Sequence, residues 1–196
     1  MRVIVIGATG TLGRFVVDAL TQRHQVVPVS YRQCQIKVDL GDPSSIAEMY
    51  RMIGQVDAVI STAAAARSAP LTELTDEDFA LSLRNKLMGQ VNLVRLGFAS
   101  VTDGGSFTLT SGALALRPRV GSALKSLTNA GVEGFTRAAA LEAPRGIRLN
   151  VVSPPLVAET LAAKGLDPSI GMAAATIAQA YVQSLEGTQN GMVLKP

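Results

Sequence analysis

The chain has 196 residues, 47% hydrophobic and 17% charged, with a net charge of +3 and a pI of about 9.3. That is enough apolar material for one globular domain with strands buried on both faces, and no apolar run approaches the length of a membrane span or a signal peptide. A single cysteine, Cys34, makes no internal disulfide and fits a reducing cytoplasm, and the basic excess lacks the Lys/Arg cluster of a nucleic-acid or membrane binder.

Val3-Ile4-Val5-Ile6 predicts a buried strand over residues 2–6, and Leu12, Phe15, Val16, Ala19 and Leu20 have helical spacing over 11–23. Between them stands Gly7-Ala8-Thr9-Gly10-Thr11-Leu12-Gly13. A strand, a glycine turn and a helix N-terminus make a phosphate site, because unpaired amides and the positive end of the helix dipole face the anion. Glycines let the backbone turn sharply and approach a dinucleotide's diphosphate. The spacing is G-x-x-G-x-x-G, not the commoner G-x-G-x-x-G, and a purely structural turn is the alternative.

A second strand spans Val26–Ser30, and the lone His24 before it reads as a solvated helix-end residue, so no metal site is expected. In dinucleotide folds an acidic residue after this strand holds the ribose of NAD, whereas a basic one accommodates the extra phosphate of NADP. Here Ser30-Tyr31-Arg32 carries no carboxylate, which favours NADP with Ser30 and Arg32 as contacts and Arg14 as a second basic candidate. Gln35–Val38 predicts a third strand, closed by Asp39-Leu40 at the adenine. Asp42-Pro43 then caps a helix that Gly54 stops.

Asp57–Ile60 predicts a fourth strand, and Ser61-Thr62-Ala63-Ala64-Ala65-Ala66 after it offers small residues against which a flat ring can lie, an ordinary strand-to-loop exit being the alternative. Thr75 and Asp78 frame the start of a long helix over 76–99. A fifth strand is expected over Ser106–Thr110, a second long helix over 122–143 and a sixth strand over Ile147–Val152. An irregular stretch then runs from Pro154-Pro155 to Pro168, followed by a helix over 169–185 and a strand Met192–Leu194. This alternation predicts an α/β protein: a single Rossmann-type domain over 1–196, doubly wound, with about seven parallel strands ordered 3-2-1-4-5-6-7.

Several stretches together resemble the short-chain dehydrogenase/reductase superfamily across essentially the whole chain. They are the glycine turn, Asp39-Leu40, Thr108-Leu109-Thr110-Ser111, Val132-Glu133-Gly134-Phe135-Thr136-Arg137, Pro144-Arg145-Gly146-Ile147-Arg148-Leu149-Asn150 and Ser153-Pro154-Pro155. The resemblance implies an NAD(P)-dependent oxidoreductase, commonly dimeric or tetrameric through its two long helices. It also implies a serine, a tyrosine and a lysine, helped by an asparagine, around the reacting carbonyl. Ser111 matches the serine. Counting back from Val132 puts Lys125 at the tyrosine and Asn129 at the lysine, no Tyr-x-x-x-Lys exists, and Lys86 falls at the asparagine. Pro155 and Ser61-Thr62-Ala63 are further departures.

The expected cofactor set is therefore Gly7, Thr9, Gly10, Thr11, Leu12, Gly13, Ser30, Arg32, Asp39, Leu40, Thr62, Ala63, Ala64 and Pro154. The expected catalytic set is Ser111, Lys86, Lys125 and Asn129, with Lys86 or Lys125 as proton donor provided burial lowers its pKa. The bland alternatives are a solvated Lys125, a Lys86 that binds phosphate or helix-end carbonyls, and a Ser111 that merely ends a strand. The functional expectation is an NADP-dependent reductase of a small carbonyl or enone compound, a homodimer or homotetramer. The alternative is a non-catalytic NADP-binding regulatory or scaffold protein.

Overall fold

A computed structural model describes residues 1–63 and 67–196. In chain order they form β1 (Arg2–Ile6), α1 (Thr11–Thr21), β2 (Gln25–Ser30), β3 (Ile36–Lys37), α2 (Pro43–Ile53), β4 (Val56–Ser61), α3 (Asp76–Ser82), α4 (Gly89–Gly97), β5 (Val101–Thr110), α5 (Ala123–Glu142), β6 (Arg148–Val152), α6 (Ala158–Ala162), α7 (Ala174–Glu186) and β7 (Val193–Leu194). The strands pair in parallel in the order β3-β2-β1-β4-β5-β6-β7, as the alternation of elements predicted.

Successive residues of a strand point to opposite faces, so a sheet covered on both sides needs apolar residues at every position. β1 meets this demand: Ile4 and Ile6 join one core with Ile46, Met49, Leu93 and Phe107, while Val3 and Val5 join the other with Val16, Leu20, Ile177 and Tyr181. The first core therefore lies under α2, α4 and α5, and the second under α1 and α7. Local signals set the helix starts. Asp42 accepts a hydrogen bond from the Ser44 amide at 2.8 Å with Pro43 next in line, and Thr75 and Asp78 form a reciprocal cap. Gly54, at φ 74°, ends α2.

Four elements differ from the sequence expectation. The third strand shrinks to two residues because it pairs on one side only, at the sheet edge. The fifth is longer: Val56 pairs with Val101 but Ala58 pairs with Ser106, so Asp103-Gly104-Gly105 is a bulge inside β5, with Gly104 at φ 71°. Part of the stretch after Pro155 folds into α6, and α7 begins at Ala174. Glu159 of α6 explains that start, since both its oxygens accept from the Ala174 amide, at 3.0 and 2.9 Å. The fourth difference is the long helix over 76–99: α3 and α4 are joined by a π-helical segment, Leu83–Met88.

His24 is another correction. It is not solvated, and its Nε2 lies 2.8 Å from Glu186 Oε1 with the ring largely buried. Among the described residues, no helix is long and apolar enough to cross a membrane.

Candidate functional site

The carboxyl ends of β1, β2 and β4 open into a crevice of about 900 Å³. Gly7, Thr9, Gly10, Thr11, Leu12, Ser30, Asp39, Leu40, Thr62 and Ala63 all line it. Gly7, at φ 80°, turns the chain there, and its amide and that of Ala8 donate to the Val29 carbonyl at 2.9 and 3.1 Å. A Cβ on Gly7 would stand 2.8 Å from the Ala63 amide nitrogen, and one on Gly13 would overlap the Gly7 carbonyl. Gly13 is thus not a wall of the crevice but the reason α1 packs so close beneath it. Gly10 is the N-cap residue of α1 with no side-chain cap, and no acidic residue occupies the first turn. The first amides of α1 therefore face the crevice with the positive end of the dipole unneutralised, which suits a diphosphate.

Ser30 has a role its sequence did not reveal. Its Oγ accepts from the amides of Gln33 and Cys34 at 2.9 and 2.8 Å, which folds the loop after β2. Tyr31 lines the crevice and Arg32 stacks over its ring, 5.2 Å from the centroid, without itself forming the wall. Pro154 is not a wall residue either; its carbonyl accepts from the Ala113 amide at 2.9 Å. Ala64, Ala65 and Ala66 lie outside the described residues. Arg84 and Asn85, on the π segment, line the crevice and were not expected.

The same π segment delivers the second half of the site. An i→i+5 turn rotates the residues that follow relative to a regular helix, and such bulges gather at functional sites. Here it turns Lys86 inward to 8% exposure, with Nζ donating to the Ser111 carbonyl at 3.3 Å. Gln90, wholly buried, locks the arrangement. Its Nε2 donates to the carbonyls of Lys86 and Thr110 at 3.1 and 2.9 Å, and its Oε1 accepts from the Thr110 amide at 2.7 Å. The side chain thus serves the end of β5 where a neighbouring strand would otherwise pair.

The four expected catalytic residues come together around the end of β5. Burial, and then the charge of Lys125, bring the Lys86 ammonium down to about 8. Lys125, in the first turn of α5, is itself lowered by partial burial and then by Lys164 and Arg119. Asn129, one turn on, donates from Nδ2 to the Gly112 carbonyl at 3.3 Å, and its buried Oδ1 has no partner among the described residues. Since the Gly112 carbonyl requires the NH₂ side, the orphan is the acceptor.

Ser111 Oγ donates to Glu133 Oε1 at 2.8 Å, and Ser153 Oγ donates to the same oxygen at 3.1 Å. Glu133 is 3% exposed. Sequence reading missed both Glu133 and Gln90 as site residues. A carboxylate one helical turn past Asn129, on the face that also buries Val132, was the available signal for Glu133.

A doubly wound parallel sheet with a glycine cradle at its first βα turn defines a Rossmann-type fold. The chain belongs to the short-chain dehydrogenase/reductase superfamily, with residues 4–190 matching the family described as Enoyl-(Acyl carrier protein) reductase. The protein lin1944 of Listeria innocua is 38% identical, with a TM-score of 0.95 over 100% of this chain and 98% of that one. A small-chain dehydrogenase crystallised with NADPH shares the fold at 24% identity, with a TM-score of 0.87 over 100% of this chain and 96% of that one. A 3-oxoacyl-[acyl-carrier-protein] reductase of Rattus norvegicus is 31% identical over 124 residues, 62% of this chain; the alignment spans about half, 52%, of that protein.

Proposed function

We propose that the protein is an NADP-dependent reductase of a small carbonyl or enone compound, with the Lys86 ammonium as proton donor. The observation that carries this reading is a buried ammonium, lowered to about 8, held against Ser111 at the carboxyl edge of the sheet. Hydride addition to a carbonyl or enone builds negative charge on oxygen, so a donor with a pKa near the working pH must stand beside it. Lys86 meets that condition without a tyrosine.

The residues present fit the cofactor. The amides of Thr11 and Leu12 would hold the diphosphate, Ser30 and Arg32 the 2′-phosphate, Asp39-Leu40 the adenine edge, and the orphan Oδ1 of Asn129 a ribose hydroxyl. When bound, NADPH supplies the hydride. Ser111 has one proton and directs it to Glu133, so its hydroxyl offers only lone pairs to the site. The developing oxyanion is therefore met by ammonium N–H groups, and Ser111, Glu133 and Gln90 fix where that ammonium stands.

The test mixes the protein with NADPH and a panel of ketones, aldehydes and enones and follows the reduced-nicotinamide absorbance. Turnover that falls on the order of 10²–10⁴-fold in Lys86→Met, and that in the wild type declines as pH rises through about 8, is expected. Tight NADPH binding with no turnover on any substrate would favour the regulatory alternative. Failure to bind either nicotinamide cofactor would refute both.

A further inference from the structure

Lys86 is not the only cation at the end of β5. Lys125 stands in the first turn of α5, Arg119 in the loop just before it, and Lys164 just after α6, whose Thr160 reaches the crevice wall. Each is near enough for its charge to act on the next: Lys164 and Arg119 on Lys125, and Lys125 on Lys86. Among the described residues, which include every carboxylate of the chain, none of the four has a carboxylate within ion-pair distance.

Three carboxylates on or next to these elements are engaged elsewhere. Glu133 takes Ser111 and Ser153, Glu159 caps α7, and Asp167 takes the amide and hydroxyl of Ser169. The N-terminus of α5 adds to the field. Its first turn has no acidic residue, and the Ser122 hydroxyl turns back to the Arg119 backbone at 2.7 and 2.9 Å instead of capping the helix. Like charges gathered without a counter-ion repel one another, and a cleft of one sign concentrates ligands of the other.

We propose that the substrate carries a carboxylate or phosphate a few bonds from its reducible group, and that Lys125, Lys164 and Arg119 form the subsite that receives this anion. The inference rests on the reductase reading for the reacting end only. Lys125 lies between that end and the outer cations, so a short keto acid or phosphorylated ketone fits better than a long neutral chain.

Matched pairs test it: acetoacetate against ethyl acetoacetate, and dihydroxyacetone phosphate against dihydroxyacetone, each with NADPH. The anionic member of at least one pair is expected to exceed its neutral partner in kcat/KM by about 30-fold or more, the pair identifying which anion is used. Lys164→Gln and Arg119→Gln, both outside the proposed proton-donating group, should each raise KM for the anionic member by roughly 3–10-fold and leave the neutral one unchanged. Added salt should erode the preference. Equal turnover of charged and neutral members, or an anionic KM that neither replacement moves, overturns the proposal. If no ketone is turned over, the reductase reading fails separately. Calorimetry with malonate and with inorganic phosphate then decides the subsite: heat on the wild type that is lost in both variants supports it, and no heat overturns it.

Discussion

Replacing Lys86 with methionine keeps the length and apolar stem of the side chain and removes the charge. Between the ordinary lysine value of 10.5 and the value of about 8 lies a destabilisation of the charged form of roughly 3 kcal/mol. The group is 8% exposed, so solvent screens little of this. The unfolded chain binds a proton at Lys86 up to about pH 10.5 and the folded chain only up to about pH 8, so stability rises with pH between those values. Below about pH 8 the full penalty is present in the wild type and absent from Lys86→Met.

The variant loses one charge-assisted hydrogen bond to the Ser111 carbonyl, about 1.5–3 kcal/mol, which offsets part of the gain. At pH 7 the variant should therefore be as stable as the wild type or more so, by up to about 2 kcal/mol, or some 4–8 °C in Tm for a domain of this size. The difference should move by about 3 kcal/mol in favour of the wild type as pH climbs from 7.5 to 10.5. Urea unfolding of both proteins across that range, without cofactor, measures it. A difference that stays constant with pH would refute the claim that Lys86 is buried with a lowered pKa, and the proton-donor role would fall with it.

Other expectations concern the crevice and its supports. Gly13→Ala should abolish NADPH binding and cost more than about 3 kcal/mol, because its Cβ would push α1 off the Gly7 carbonyl; a folded variant that binds normally would contradict the close-packing account. Arg32→Ala should weaken NADPH at least about 10-fold and NADH hardly at all by titration calorimetry, and equal losses would remove Arg32 from the site. Ser111→Ala should lower kcat less than about 10-fold, far less than Lys86→Met, since the serine proton is turned to Glu133; equal losses would make the serine the donor. Gln90→Leu should cost about 2–4 kcal/mol by leaving the Thr110 amide and two carbonyls unpaired, and a neutral result would deny it that role.

The sheet order and the crevice at the glycine turn were legible because their causes are local. Val3-Ile4-Val5-Ile6 has to be buried on both faces, Gly7 has to accept a positive φ, and Asp42-Pro43 and Thr75–Asp78 carry helix starts within a few residues. The resemblance and the residue spacing likewise brought Ser111, Lys86, Lys125 and Asn129 to attention, and the fold gathers them at one strand end.

Their protonation and orientation were not readable from spacing. Lys86 turns inward because a π segment changes the helical phase, and that segment is held by a glutamine serving β5, 20 residues away from Thr110 in sequence. The Ser111 proton is directed by Glu133, 22 residues on, and the pKa of Lys86 is set by burial and by a lysine on another helix. Backbone propensity, turns and caps act between near neighbours, so the amino-acid order alone determined the alternation of strands and helices and their layering, though not the bulge in β5, α6 or the π segment. Dielectric environment, charge–charge proximity and the choice of hydrogen-bond partner depend on distances between remote segments, and for this protein only the tertiary structure decided them.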